Sequence, residues 1–272
     1  MFDFVAESFN LENTNEYILS IQISLDGFSF SVLNPLENKI VAFKCTPLKI
    51  SSNNLILLHF HDWLKEEVLL QKKYLKTIVI YFTVEFSLIP ENLYCSKLVQ
   101  EASIRLVPEN NYKKLVVNTA NGLNASARII FYLPKDLEEF ITLNFSSPEL
   151  IHPVQLVTQQ IQQTNKKNKV VLLYHKKSCI LVAVRNNQII LANGFNTGHV
   201  NDLVYYVLNT ITQLNLNLKE TDFYLSDALN KNEELEQLFY PYFQEPSYLP
   251  PARSIENAEM VQNSIHRYFS FV

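Results

Sequence analysis

The stretch YILSIQISLDGFSFSVLNPLENKIVAFKC, residues 17–45, contains three short runs rich in β-branched and aromatic residues. Asp26-Gly27 separates the first two runs, and an Asp-Gly pair flanked by such runs is a strong signal for a β-hairpin. NPLEN, residues 34–38, supplies a second turn before the third run. The sequence therefore predicts three antiparallel strands, over residues 17–24, 28–33 and 39–45.

A helix and a fourth strand are predicted after these three strands. In residues 54–72, apolar side chains recur near helical spacing, with acids and lysines between them. TIVIYFT, residues 77–83, is an apolar run of the length of a buried strand. The order of elements is therefore strand, strand, strand, helix, strand.

The same order returns in the second half of the chain. Residues 200–214 carry apolar side chains in a sustained stripe at the 3.6-residue period, which predicts a helix. Strands are predicted around it, over residues 169–174, 179–184, 188–192 and 222–226. The turn at Gly27 and its equivalent at Ser178 are 151 residues apart. We therefore expect a mixed α/β fold with an internal repeat, divided into an N-terminal lobe over 1–152 and a C-terminal lobe over 153–272.

The segment between the two repeats and the end of the chain are less regular. The elements predicted between the repeats are a helix over 91–103, strands over 113–119 and 128–133, a turn at Asn121-Gly122, a short helix after Pro134 and a helix over 153–163. Residues 242–253 are rich in proline and are expected to be extended at the surface. A final helix is expected over 254–268.

Composition and charge exclude several classes of function. The chain has 272 residues, 47% of them hydrophobic, which is enough to bury a sizeable core. Its net charge of −4 provides no basic surface for nucleic acid or an anionic membrane. The first residues lack the positive region of a signal peptide, and no apolar run reaches the roughly 18 residues of a membrane span. We expect a cytoplasmic protein without a membrane span.

Side chains that could perform chemistry are scattered along the sequence. Cys45, Cys95 and Cys179 are odd in number and far apart, so we expect reduced thiols in the core. His59 and His61 fall where a helix is predicted and would point apart, which disfavours a metal site. Ser178-Cys179 lies near His175, but no acid that could orient this histidine is close in sequence. The sequence therefore predicts no catalytic residue and no metal site.

The duplicated order resembles the fold shared by actin, sugar kinases and Hsp70-type ATPases, which is ribonuclease H-like in its repeated unit. The pattern is most similar to the bacterial branch that contains the pilus-assembly and FtsA-like proteins. More narrowly, the sequence resembles a Bacteroidetes family known as domain of unknown function 3822. The stretches that carry this resemblance are YILSIQISLDGFSFSVLNPLENKIVAF, NGFNTGHVNDLVYYVLNTITQL, FYLSDAL and HRYFSFV.

The resemblance implies a phosphate-binding loop between the first two strands of each lobe. Such a loop needs an Asp to hold Mg²⁺ through water and a Gly that lets backbone N–H groups approach phosphate. In the first lobe, Ser24 stands where the Asp belongs and Asp26 where the Gly belongs. Shifting the register so that Asp26 becomes the acid puts Phe28 where the second glycine belongs. The first loop therefore departs from the pattern of an active ATPase.

The second lobe departs from the same pattern in a different way. Its equivalent turn, residues 174–177, contains neither Asp nor Gly, and Ser226-Asp227-Ala228 replaces the Gly-Gly pair of an adenosine loop. Gly194 and Gly198, with Asp202, resemble the loop before this helix in the pilus-assembly branch. The candidates for a residual ligand site between the lobes are Ser24, Asp26, Gly27, Lys176, Gly198, Asp202 and Asp227.

Three functions remain open after these comparisons of motifs. The first is a non-catalytic scaffold with the actin-like fold, which binds another protein or itself. The second is a protein that still binds a nucleotide or another small ligand between the lobes, with slow hydrolysis of ATP. The third is an RNA- or ribosome-associated factor, which the acidic balance disfavours. We expect the first, with no cofactor, because the motifs give no support for ATP and Mg²⁺ and no support for a nucleic-acid partner.

Overall fold

Two mixed sheets with the same strand order form the frame of the protein. The structure, a computed structural model, describes residues 2–95, 97, 99, 101, 112–123, 125–161, 167–175, 177–227, 233–243, 246–249 and 254–255. No helix in this part of the chain combines the length and the apolar character that a bilayer crossing requires.

The first sheet contains the first repeat. Its strands are β1 (Phe2–Val5), β2 (Ile18–Ser24), β3 (Gly27–Asn34), β4 (Lys39–Pro47), β5 (Lys76–Tyr81) and β9 (Glu149–Ile151), in the order β1-β4-β3-β2-β5-β9. The strands β2, β3 and β4 are antiparallel, whereas β5 is parallel to β2 and to β9. A short last strand, β15 (Ser254–Ile255), pairs in parallel with β4.

The second sheet repeats this arrangement. Its strands are β10 (Asn168–His175), β11 (Ser178–Arg185), β12 (Gln188–Asn196), β13 (Thr221–Asp227) and β14 (Ser247–Tyr248), in the order β12-β11-β10-β13-β14. The strands β3 and β11 both have eight residues and begin 151 residues apart. The internal repeat and the mixed α/β fold are therefore confirmed.

A third sheet and a helix lie in the chain between β5 and β9. The three strands are β6 (Phe86–Pro90), β7 (Lys113–Leu123) and β8 (Ala125–Pro134), with β8 in the middle. The α-helices of the described residues are α1 (Ile56–Glu66), α2 (Lys135–Asn144), α3 (Pro153–Gln160), α4 (Asn201–Gln213) and α5 (Glu233–Phe239).

The strand β10 has apolar side chains on both faces because both faces are covered. Val170 and Leu172 belong to a cluster with α4, α5 and β13, whereas Val171 and Leu173 belong to the core of the first lobe. Alternate residues of a strand point to opposite faces, so this division follows from the period of two. The apolar core of the first lobe thus continues onto one face of the second sheet.

The helix α3 connects the two repeats, and a buried side chain holds each of its ends. His152 precedes the helix, and its Nδ1 accepts a hydrogen bond from the Val154 amide at 3.3 Å. Lys169 is fully buried and donates from Nζ to the Ile161 carbonyl at 2.8 Å, beyond the last helical residue. Cations suit the C-terminal end of a helix. Burial lowers the pKa of Lys169, and the Asp222 carboxylate opposes this shift.

The helix predicted over 54–72 is shorter than its sequence pattern. It ends at Glu66 because Glu67 is extended, and a separate 3₁₀ turn follows at Val68–Gln71. The Glu67 carboxylate is buried and lies 2.6 Å from Nζ of Lys44, a residue of β4. A long-range ion pair thus holds Glu67 where the local pattern favours a helix.

Several predictions for the less regular segments were wrong. The turn predicted at Asn121-Gly122 is absent, since both residues lie within β7. The chain reverses after them, between Leu123 and Ala125. Leu249 is fully buried rather than at the surface, and Ser254–Ile255 form a strand rather than the start of a helix. The remainder of that helix lies outside the described residues. The helix predicted over 91–103 begins as a 3₁₀ turn at Glu91–Leu93, and its later residues that the structure describes, 97, 99 and 101, are α-helical as predicted.

Candidate functional site

The turn between β2 and β3 is tight and depends on its own side chains. Ser24 pairs with Gly27, which leaves Leu25 and Asp26 as the two turn residues. The Ser24 hydroxyl accepts from the Asp26 amide and donates to the Gly27 carbonyl, both at 3.2 Å. Gly27 has φ +127°, and a Cβ there would lie 2.3 Å from the Thr46 carbonyl oxygen. Gly27 is thus required by the hairpin itself.

The turn between β10 and β11 brings an imidazole against this first hairpin. His175 pairs with Ser178 across the second turn, and its Nδ1 lies 3.5 Å from Oδ2 of Asp26. The imidazole also packs on Phe82, with 3.5 Å between ring centroids. Burial lowers the pKa of His175 to about 4, although the Asp26 carboxylate opposes the shift. The imidazole is therefore neutral at pH 7.

The segment after β5 completes the contact between the lobes. Gly194 of β12 approaches Val84 so closely that a Cβ would lie 2.6 Å from the backbone oxygen and the side chain of Val84. Thr197, just after β12, donates from its amide to the Lys177 carbonyl at 2.9 Å. A cavity of about 160 Å³ remains between these segments, too small for a nucleotide.

A buried histidine fixes the segment that carries Phe82 and Val84. Nε2 of His152 donates to the Thr83 carbonyl at 2.9 Å, and Nδ1 accepts from the Val154 amide. This pair of bonds requires the neutral tautomer with its proton on Nε2. Burial lowers the pKa of His152 to about 4, with the hydrogen bond to Thr83 opposing.

The amide groups of the loop before α4 donate hydrogen bonds to a carboxylate of the helix that follows. The amides of Gly198 and His199 both donate to Oδ2 of Asp202 at 2.8 Å. These hydrogen bonds lower the pKa of the Asp202 carboxyl. Two N–H groups that could have met an anion at the start of this helix are therefore bonded to a carboxylate in the first turn of α4.

The candidate residues fall into two local groups. Ser24, Asp26 and Gly27 share the first hairpin, and His175 of the second lobe reaches Asp26. Gly198 lies in the loop before α4 and bonds to Asp202 in the first turn of that helix, and Thr197 connects this loop to the second hairpin. Asp227 is the last residue of β13, opposite Tyr174 in the register. Lys176 lies outside the described residues.

Phe28 and two of the three cysteines are buried and structural. Phe28 packs against Phe60 and Trp63, with 5.4 and 5.3 Å between ring centroids, away from the contact between the hairpins.

Cys45 and Cys179 are buried as expected, but Cys95 is exposed, so the prediction of a core thiol was wrong there. Burial raises the pKa of Cys179 to about 12, which disfavours the thiolate that a nucleophile needs. The described residues contain no cluster of three or more metal-binding side chains.

A second, larger cavity opens beside the contact between the lobes. Its volume is about 620 Å³, and it shares Asn53 and Glu85 with the smaller cavity. It is bounded by the end of β5, the residues before α1, the start of α2 and the ends of β7 and β8. No sequence pattern indicated this cavity, because its walls come from distant parts of the chain.

Solved structures confirm the fold. A Bacteroides thetaiotaomicron protein with an actin-like ATPase fold and unknown function superposes with a TM-score of 0.79 at 20% identity, over 93% of this chain and 96% of that one. The PilM-PilN type IV pilus biogenesis complex gives 0.57 at 11% identity, over 93% and 96%. The ethanolamine utilization protein EutJ of Carboxydothermus hydrogenoformans gives 0.50 at 8%, over 98% and 92%. At such identities the likeness shows the fold alone.

Sequence comparisons give the family. No curated protein sequence matches the chain significantly. The family model described as protein of unknown function (DUF3822) matches residues 6–245, which include both repeats and both hairpins. The chain is therefore a member of the DUF3822 family, and its fold is that of the actin-like ATPases.

Proposed function

We propose that this protein is a non-catalytic member of the actin-like fold that binds another protein. The observation that carries the proposal is the contact among His175, Asp26 and Phe82. These side chains occupy most of the space between the two hairpins and leave a cavity of about 160 Å³ where the fold's resemblance to ATPases implies that phosphate would lie. A ligand there would have to displace a buried imidazole and separate Gly194 from Val84.

Among the described residues, Lys177 is the cation that lines the cavity between the hairpins, and the other polar groups there suit phosphate poorly. Phosphate is bound by converging N–H groups and cations, whereas the first hairpin presents the carboxylate of Asp26. The second hairpin presents an imidazole that burial keeps neutral at pH 7. The amides of Gly198 and His199 are bonded to Asp202. The limited space and the arrangement of these groups thus both count against turnover of a nucleotide.

One structural relative supports a partner of this kind. The PilM structure is that of a complex with PilN, so the same frame can hold another protein. The identity of 11% carries no information about which protein that would be here. Self-association is the other arrangement that fits the proposal.

Thermal melting with Mg-ATP, Mg-ADP and Mg-GTP at millimolar concentration tests the exclusion of nucleotide. We expect no change in melting temperature. A ligand at about 100 times its dissociation constant would stabilise the protein by about 2.7 kcal/mol, which is roughly 5 to 10 °C. A shift of that size in the native protein, lost in Asp26→Asn, would contradict the proposal and favour a nucleotide site between the lobes.

Size-exclusion chromatography with light scattering, followed by affinity capture and reconstitution from purified components, tests the partner. We expect a defined complex, either with one other protein or with a second copy of this chain. A monomer that yields no complex that can be reconstituted would overturn the binding role.

A further inference from the structure

The larger cavity contains a buried tyrosine whose hydroxyl has no partner among the described residues. Tyr81, the last residue of β5, is 2% exposed and lines this cavity. Its hydroxyl forms no hydrogen bond with any of the described residues, unlike that of Tyr74, which donates to the Leu69 carbonyl. The hydroxyl can therefore both donate a hydrogen bond to a ligand in the cavity and accept one from it.

The electrostatic surroundings of this hydroxyl are negative. Burial raises the pKa of Tyr81, and the carboxylates of Glu85 and Asp136 raise it further. Both carboxylates line the same cavity, as does that of Glu139. Three carboxylates and two lysines thus line the cavity, and this acidic balance favours a cation.

The lysines of the cavity leave part of this charge unbalanced. Nζ of Lys113 lies 2.6 Å from Oε2 of Glu85, so these two charges are paired. Within the described residues, the carboxylates of Asp136 and Glu139 have no cationic partner within 4 Å. Lys135 lines the cavity but is exposed and forms no ion pair there. Both carboxylates are exposed, and Oδ1 of Asp136 accepts from the Leu137 amide at 2.9 Å, which leaves the other Asp136 oxygen and Glu139 for an incoming cation.

Aromatic rings also border this space. Tyr112 and Tyr132 line the cavity together with Tyr81, and ring faces attract ammonium groups. The volume of about 620 Å³ falls in the range of sites for small molecules, about 300 to 1,000 Å³.

We propose that this cavity binds the primary ammonium group of an amine ligand, which Asp136 and Glu139 pair with and to which the Tyr81 hydroxyl hydrogen-bonds. The site adjoins the contact between the hairpins and shares the lining residues Asn53 and Glu85 with the smaller cavity there. It is independent of whether the protein binds nucleotide, and it needs no change in the packing of the lobes.

Calorimetric titration of the native protein with 1,5-diaminopentane tests the proposal, with 1,5-pentanediol as a neutral probe of the same length. We expect saturable binding of the diamine and none of the diol. Asp136→Asn combined with Glu139→Gln should weaken binding by at least about 10-fold, and Tyr81→Phe by about 3- to 10-fold. Glu138→Gln, on the same helix but not in the cavity, should leave it unchanged.

Three results would overturn the proposal: no diamine binding at millimolar concentration, equal binding of the diol, or binding that survives the double variant. Melting curves of each variant show whether it folds, and Glu139→Gln alone keeps the test valid if Asp136→Asn or Tyr81→Phe fails to fold. A third probe, blocked Gly-Lys-Gly, identifies the source of the ammonium. Tighter binding than the diamine indicates a lysine of a protein partner, and weaker binding indicates a free amine.

Discussion

The two hairpins occupy equivalent positions in the repeat, but their turns are built differently. The first depends on Gly27, whose φ of +127° and close contact with β4 exclude a side chain. The second has Ser178 at the equivalent position and a histidine where the first strand of the pair ends. The strands around each turn are nevertheless alike. Two copies of the same strand arrangement can therefore end in turns with complementary side chains. Here these are a carboxylate and an imidazole, which contact each other.

Alanine substitutions at the two equivalent positions should have very different effects. Gly27→Ala forces a side chain into positive φ and against the backbone of β4, so we expect a loss of about 4 kcal/mol in the free energy of unfolding. Ser178→Ala at the equivalent turn should change it by less than about 0.5 kcal/mol. Urea denaturation of both variants measures the difference. Similar losses in the two would mean that the turns are built alike.

Acid should act on the second hairpin through its histidine. The folded pKa of His175 is about 4, below its ordinary value of 6.5, and the same holds for His152. The unfolded chain thus binds more protons between these values. Stability is complete above about pH 6.5 and falls as the pH falls towards 4, by on the order of 3 kcal/mol for each histidine.

Urea denaturation at pH 7 and at pH 4.5 measures this acid sensitivity. The variant His175→Gln should lose less stability on acidification than the native protein, because one of the two buried imidazoles is gone. His61→Gln, whose side chain is exposed, serves as the control and should follow the native protein. An unchanged acid sensitivity in His175→Gln would show that the imidazole is not buried against Asp26.

The two glycines near the end of β12 provide a smaller contrast. Gly194→Ala places a Cβ 2.6 Å from Val84 across the contact between the lobes, so we expect a loss of about 2 kcal/mol. Gly198→Ala meets only the Asp202 carboxylate at 3.6 Å and should cost less than about 1 kcal/mol. Melting curves of the two variants measure the difference, and equal losses would contradict the close approach of the lobes at Val84.

The parts of the fold that could be predicted are those with local signals. The hairpin at Asp26-Gly27 and the helix α4 follow from turn chemistry and periodicity within a few residues. The strands β1 and β15 could not be found in this way, because they are short and exist by pairing with β4. The early end of α1 has the same kind of cause, since the ion pair with Lys44 holds Glu67 extended.

The contact between the hairpins was only partly visible in the sequence. Asp26 and His175 were both singled out, but in separate roles, and neither pattern indicated that the two side chains meet. Their meeting depends on how the second sheet packs on the core of the first lobe. Tyr81 gave no signal at all, because a tyrosine at the end of an apolar run normally fills a core, and only the surrounding elements leave its hydroxyl facing a cavity.

The return of β15 to the first sheet has a mechanical consequence. The chain passes from the first lobe to the second through α3 and comes back at Ser254–Ile255, which pair with Lys39 and Ile40. The lobes are thus tethered twice, and a hinge motion that widened the cleft would have to break these strand hydrogen bonds as well as the contact at His175. In this geometry, opening of the cleft is opposed at two places, the strand pair at Ser254–Ile255 and the contact between His175 and Asp26.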